Sequence, residues 1–300
     1  MAAMASLAAT NPKPVFDAHV HIWTSDFAKY PLAPGFYPKD FSGIPSITAE
    51  ELMAHAAPTG VTMINLVQMT WYGLDHSYIL DVIRKQPRHF VGTGIVPAFS
   101  DATLASPDLA MVELAKGGIY GFRLLGRKNA PGGGTRWMEH PGYDKMFGAA
   151  ARHNLALSFL MGPDDLPEVN RMCTKHPEAP VIIDHICRIG ASGKIEEDAV
   201  AALCQMALHK HVLVKVGAFY ALGAKRPPYT DLLPLIRRVV TAFGPERCMW
   251  ESDSPFQIQK PHSYAASVAL IRDRADFLSA SDKERILFGT ADRFFRQRLR

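Results

Sequence analysis

Eight apolar runs of strand length recur along this chain with segments of helical length between them, and that alternation constrains its fold more than any other feature. The runs are Val15 to Ile22, Val61 to Gln68, Phe90 to Val96, Ile119 to Leu125, Leu155 to Met161, Pro180 to Ile186, His211 to Val216 and Cys248 to Asp253. Runs such as Val181-Ile182-Ile183 are continuously apolar, as expected of strands in a parallel sheet covered on both faces. Eight strand–helix repeats predict an α/β fold, a distorted (β/α)8 TIM barrel with its active site built from loops at the C-terminal ends of the strands. An open doubly wound sheet is the alternative. Helix starts are signalled by capping boxes at Thr48 with Glu51 and Ser281 with Glu284, and by the proline in Ser106-Pro107-Asp108. No repeat, linker or low-complexity stretch divides the chain, so residues 14–300 are expected to form one barrel domain after an Ala-rich, disordered lead-in over residues 1–13.

Bulk composition narrows the function classes. With 48% hydrophobic and 21% charged residues in 300, the chain is globular rather than disordered. Its net charge of +4 comes without a long basic run, so neither nucleic acid nor a membrane surface is an expected partner. No apolar stretch approaches the roughly 20 residues that cross a bilayer. The lead-in lacks the charged start and apolar core of a signal peptide. Cys173, Cys187, Cys204 and Cys248 form no CxxC pair and read as reduced core thiols, which points to the cytoplasm. Pro131-Gly132-Gly133-Gly134 lacks a P-loop lysine and reads as a flexible lid, not a nucleotide cradle. The loop from Trp23 to Ile47 carries Trp23, Phe27, Tyr30, Phe36, Tyr37 and Phe41, rings suited either to capping a pocket or to packing on the barrel top.

Chemistry concentrates at three strand ends: Asp17-Ala18-His19-Val20-His21, Asp184-His185 and Glu251-Ser252-Asp253. Strand alternation sends Asp17, His19 and His21 to one face, and a closed barrel brings all three segments to one mouth. A His-x-His pair alone is a weak signal. Joined by His185 and Asp253 it becomes an N/O ligand set suited to a divalent ion such as zinc; otherwise the histidines are satisfied by backbone or carboxylate partners. Arg123, Arg127, Arg136, Arg188, Lys225, Arg226 and Lys260 lie at or beyond strand C-termini and favour a small anionic substrate. Arg123 and Arg188 lie closest to the strand ends, whereas Lys225, Arg226 and Lys260 read as surface charges. Tyr220 offers a hydroxyl donor, and Trp23 a ring, to the same substrate. Alternation also turns Glu251 into the barrel, where a carboxylate needs a partner; Lys215 or Arg123 is expected.

The Asp-x-His-x-His start, Gly121-Phe122-Arg123, Val181-Ile182-Ile183-Asp184-His185, Val214-Lys215-Val216, Met249-Trp250-Glu251-Ser252-Asp253-Ser254-Pro255-Phe256 and Gly289-Thr290-Ala291-Asp292-Arg293-Phe294-Phe295 together resemble the amidohydrolase-2 family of the amidohydrolase superfamily. Within it the chain is most similar to the lactonase-like branch, which includes 2-pyrone-4,6-dicarboxylate lactonase and sugar lactonases. The resemblance implies a carboxylic-ester hydrolase that opens a small carboxylated lactone or cyclic ester with an activated water. Asp253 would be its general base, His185 would polarise the carbonyl, and His19 and His21 would be the first-strand pair. Arg123 and Arg188 match carboxylate-binding positions. One divalent ion, zinc or manganese, would sit on His19, His21, Asp253 and His185, although the branch also has metal-free members. The expected partner is a small anionic substrate, with a homodimer left open. Metal-dependent non-oxidative decarboxylation of an aromatic or unsaturated acid is the alternative activity. Two departures stand out: the fifth strand offers no histidine, and Glu251 replaces a common glycine.

Overall fold

Valine, isoleucine, leucine and phenylalanine fill the strands and pack well on a pleated, two-sided buried surface, which is why these segments extend rather than coil into helices. The computed structural model describes residues 13–37, 43–96, 106–127 and 134–296. Residues 1–12 of the expected 1–13 lead-in, Phe41 and the glycine-rich segment over 131–133 fall outside them. Within the described residues the eight strands are β1 Val15–Val20, β2 Val61–Val67, β3 Phe90–Gly94, β4 Ile119–Leu125, β5 Ala156–Leu160, β6 Val181–Ile183, β7 Val212–Gly217 and β8 Cys248–Glu251. Each pairs in parallel with the next in chain order, and helices lie between them. The result is a nearly closed (β/α)8 barrel. Between β8 and β1 there is a single parallel bridge, Val20 to Ser254, flanked by hydrogen bonds from Asp253 N to His19 O (3.0 Å) and from His21 N to Ser254 O (2.8 Å).

The helices bury one stripe against this barrel. Leu233–Phe243 turns Leu235, Ile236, Val239, Val240 and Phe243 inward and leaves Arg237 and Arg238 in solvent. Each such side chain contributes about 1.5–3 kcal/mol when fully buried, so the stripe outweighs any helix propensity. Thr48 and Glu51 form the expected capping box, and Pro107 opens its helix. The second box is displaced: Ser279 with Asp282 caps Ala280–Glu284, not Ser281 with Glu284. Both pairs satisfy the same spacing, and the helix starts at the earlier one.

Most strands end a residue or more before the apolar runs do. At β6 the ladder stops at Ile183 because His185, Ile186, Cys187 and Arg188 all adopt left-handed backbone (φ 54°, 48°, 54° and 55°). A bulge in β1 places the three steps from Asp17 to Val20 opposite the two from Ile64 to Leu66. That extra residue breaks the alternation expected to align Asp17 with the two histidines. Asp17 accepts hydrogen bonds from His19 N (3.2 Å) and Ser252 N (2.9 Å), tying β1 to β8.

Candidate active site

The interior of the barrel is charged at its upper end. His19 and His21 come from β1 and its exit, Arg123 from β4, Asp184 and His185 from the end of β6, Lys215 from β7, and Glu251 and Asp253 from β8 and its exit. All but Arg123 are buried, and Arg123 nearly so. Charges at this depth persist only when each has a counter-charge or hydrogen bond. Lys215 Nζ lies 2.9 Å from Asp184 Oδ1, whose other neighbours include Ser158 Oγ (2.8 Å, donating to it). Arg123 Nη2 lies 3.7 Å from Asp184 Oδ2.

Glu251 has partners other than those expected. Its Oε1 accepts from His185 Nδ1 (2.7 Å) and from His185 backbone N (3.0 Å), and its Oε2 lies 3.3 Å from His19 Nδ1. The left-handed turn after β6 folds the amide and ring of His185 over Glu251, while Lys215 is taken by Asp184. Burial alone would lower the His185 pKa, but the negative charges of Glu251 and Asp253 overcome it and raise it, so the imidazolium is favoured. Burial would likewise raise Glu251, yet His185 pulls it down to about 2.

Ring protons on the β1 histidines follow from their neighbours. His21 Nδ1 donates to Val67 O (2.8 Å), leaving a lone pair on Nε2. His19 Nε2 is 3.2 Å from that atom, and His19 Nδ1 is 3.1 Å from Lys215 Nζ. Burial, followed by the charges of Lys215 and Arg123, lowers the His19 pKa to about 4, so this ring is neutral at neutral pH. Asp253 stands opposite, with φ +60°, and accepts from Tyr220 OH through Oδ2 (2.7 Å). Despite the burial penalty, the charge of His185 above all holds its carboxyl well below the usual carboxylate range.

Three donor atoms are spaced as a metal ion would require. His19 Nε2, His21 Nε2 and Asp253 Oδ1 are separated by 3.2, 3.4 and 3.7 Å. Tetrahedral zinc with bonds near 2.0–2.1 Å spaces its ligands by about 3.3 Å. Asp253 Oδ1 is buried and accepts no well-aligned hydrogen bond among the described residues, as does Glu251 Oε2 beside His19. The donor set therefore fits a divalent ion. His185 lies outside this trio and groups instead with His19 and Asp184. No histidine joins from β5, whose inward-facing Ser158 is committed to Asp184.

Above these groups lies a cavity of about 470 Å³, the size of a small-molecule site, lined by His21, Arg123, His185, Arg188, Tyr220, Lys225, Asp253 and Phe256 among others. A second hollow of about 300 Å³ adjoins it through Leu160, Arg188 and Ala191. Arg123, Arg188 and Tyr220 are thus brought together with the four core residues. Trp23 is not: it is fully buried, donates from Nε1 to Ile44 O (2.8 Å) and packs edge-on against Trp71 and at a tilt beside Phe256. None of the described rings between Trp23 and Ile47 lines the cavity; Tyr30 packs on Tyr78 and Tyr37 is exposed. Arg127 pairs with Asp164 and Arg136 with Glu139, while Lys225 is exposed as expected and also stands on the cavity wall, with Nζ donating to Ala191 O (2.7 Å). Sequence reading gave Asp184 no role of its own, took Lys215 only as a partner for Glu251 and passed over Ser158. Charged side chains inside otherwise apolar strand segments were the available signal for the first two.

A parallel barrel with imidazoles, a carboxylate and guanidinium groups converging at its C-terminal mouth is the layout of a barrel enzyme. Residues 16–297 match the amidohydrolase family model, and the chain belongs to that family. It is 27% identical to the L-fucono-1,5-lactonase of Burkholderia ambifaria over 93% of this chain and 94% of that one. It is 26% identical to the 2-pyrone-4,6-dicarboxylate hydrolase of Comamonas testosteroni over 84% and 80%. An amidohydrolase from Burkholderia multivorans, solved with zinc bound, superposes with a TM-score of 0.75 at 19% identity, covering 94% of this chain and 99% of that one. Among the described residues no helix is long and apolar enough to cross a membrane, and the four cysteines carry free thiols, three of them buried.

Proposed function

We propose that this protein hydrolyses a small lactone bearing a carboxylate, with Asp253 as general base. The observation that carries this reading is the ionised Asp253 carboxylate on the wall of a cavity that also contains Arg123, His185 and Arg188, held through Oδ2 by Tyr220 and with its buried Oδ1 uncommitted. The two lactone-acting relatives support the same reaction type. Arg188, exposed on the cavity wall, takes the substrate carboxylate. The lactone carbonyl oxygen then faces the Arg123 guanidinium and the His185 Nε2–H, which stabilise the charge that develops there.

A water attacks the carbonyl carbon and gives its proton to the Asp253 carboxylate. So acidic a carboxyl is a weak base, so polarisation of the carbonyl by the two cations must supply much of the activation. Collapse of the tetrahedral intermediate breaks the ring C–O bond, and the proton on Asp253 passes to the departing alkoxide. The product is a hydroxy acid that ionises at neutral pH. A divalent ion, zinc or manganese, held by His19, His21 and Asp253 would add Lewis-acid polarisation of the carbonyl. Decarboxylation gains no support from β5, where Ser158 stands in place of a further ligand.

The test follows the pH of a weakly buffered enzyme solution mixed with a panel of carboxylated lactones and aromatic acids. Immediate acidification with a lactone is expected, and Asp253→Asn should lower kcat by about a thousandfold with the fold retained. Alkaline drift with an aromatic acid, or an undiminished Asp253→Asn rate, overturns the proposal.

A further inference from the structure

Lys215 takes no part in the chemistry proposed above, yet it is fully buried at the base of the site, 3.1 Å from His19 Nδ1 and 2.9 Å from Asp184 Oδ1. We propose that Lys215 is a positioning residue that fixes His19 as its Nε2–H tautomer, and so keeps His19, His21 and Asp253 from holding a divalent ion tightly.

An ammonium group only donates, so the ring nitrogen beside it must present a lone pair. With Nδ1 accepting from Lys215, the His19 ring proton resides on Nε2. The neighbouring His21 Nε2 is ready to receive it at 3.2 Å, since the His21 proton is committed to Val67 O. From Lys215 to His19 to His21 to Val67, each donor meets an acceptor. A metal ion needs the opposite arrangement, with lone pairs on both Nε2 atoms. Moving the His19 proton to Nδ1 would set an N–H against the Lys215 ammonium at 3.1 Å. Glu251 Oε2 at 3.3 Å is the competing acceptor for that proton, but Lys215 would first have to turn away. The metal-competent geometry is therefore present, while the proton arrangement that would use it is opposed by one lysine. This inference rests on the placement of donors and acceptors and stands apart from the lactone reading.

Two measurements test it on the full chain, neither of them activity. Long-range 15N–1H spectra of the chelator-treated protein, with His19→Gln for assignment, should show the His19 proton on Nε2, and on Nδ1 in Lys215→Met. Zinc titration against a chromophoric chelator should show tighter binding by about tenfold or more in Lys215→Met. The double variant Lys215→Met/Asp184→Asn removes one charge of each sign and should gain as much. Circular dichroism and thermal melts establish that each variant is folded. If both variants fail to fold, the wild-type spectrum alone decides. A wild-type His19 proton on Nδ1, unchanged zinc affinity in a folded variant, or a gain confined to the single variant would each overturn the proposal, the last by assigning the effect to net charge.

Discussion

Replacing Glu251 with glutamine should shift His185 toward its neutral form, because the carboxylate is a main cause of its raised pKa. The substitution keeps the size of the side chain and an acceptor for the His185 amide at 3.0 Å and ring at 2.7 Å, but removes the charge. The side chains are 0% and 7% exposed, so solvent screens the pair little. At an effective dielectric of ~20 and ~4 Å between charge centres, the lost attraction is at most about 4 kcal/mol. The glutamine oxygen still accepts from His185 Nδ1 and offsets part of this, so about half that value, ~2 kcal/mol or ~1.5 pK units, is expected, with Asp253 Oδ2, 3.9 Å from His185 Nε2, favouring the cation in both proteins. Because the folded pKa of His185 is raised, its stabilising contribution is full below the unfolded value of 6.5 and is lost as pH rises through the folded one. The assay is the pH profile of kcat/KM between pH 5 and 9 on chelator-treated enzyme. The alkaline limb should move about 1.5 units toward acid, lowering the rate on that side by roughly thirtyfold, while rates at the acid end change little. An unmoved limb, or an equal loss at every pH, would refute the charge argument and leave Glu251 a structural group.

Further outcomes follow from other groups. Burial raises the Asp17 carboxyl from 3.8 to about 7, so between those values the folded chain keeps a proton that the unfolded chain has lost, and stability falls as pH rises through that window. Asp17→Asn should therefore gain in Tm relative to wild type on going from pH 5 to pH 8; parallel melts at the two pH values would contradict this. Arg188→Ala should raise KM about tenfold with kcat nearly kept, whereas Arg123→Ala should lower kcat by about a hundredfold, as steady-state kinetics on one lactone would show. The reverse split would exchange their roles.

Strands and their parallel order were legible because apolar runs such as Val181-Ile182-Ile183 admit few alternatives once helices separate them. So were His19, His21, His185 and Asp253, each placed just inside or beyond a strand end. What stayed hidden depends on backbone features with no periodic signature. The β1 bulge turns Asp17 toward Ser252, and four consecutive left-handed residues after β6 deliver His185, rather than Lys215, to Glu251. Trp23 was misjudged for a different reason: a large ring beside a site looks the same in sequence whether it lines the cavity or, as here, supports Phe256 behind it. The charged pair of Asp184 and Lys215 needed the closed barrel to be seen, since 31 positions separate the two and only adjacent parallel strands bring them together.

The single bridge between β1 and β8 has a consequence for how the enzyme matures. The hydrogen bonds that close the seam run from Asp253 N to His19 O and from His21 N to Ser254 O, so the backbone of the proposed base and of both β1 histidines is itself the fastening. Shutting the barrel and assembling the site are then one event, and it is among the last that chain order permits, because β8 emerges from synthesis after the other seven strands. A nascent chain carrying β1 to β7 has most of the sheet but lacks Glu251 and the proposed base Asp253. Local opening at that seam would silence the enzyme while leaving most of its structure intact.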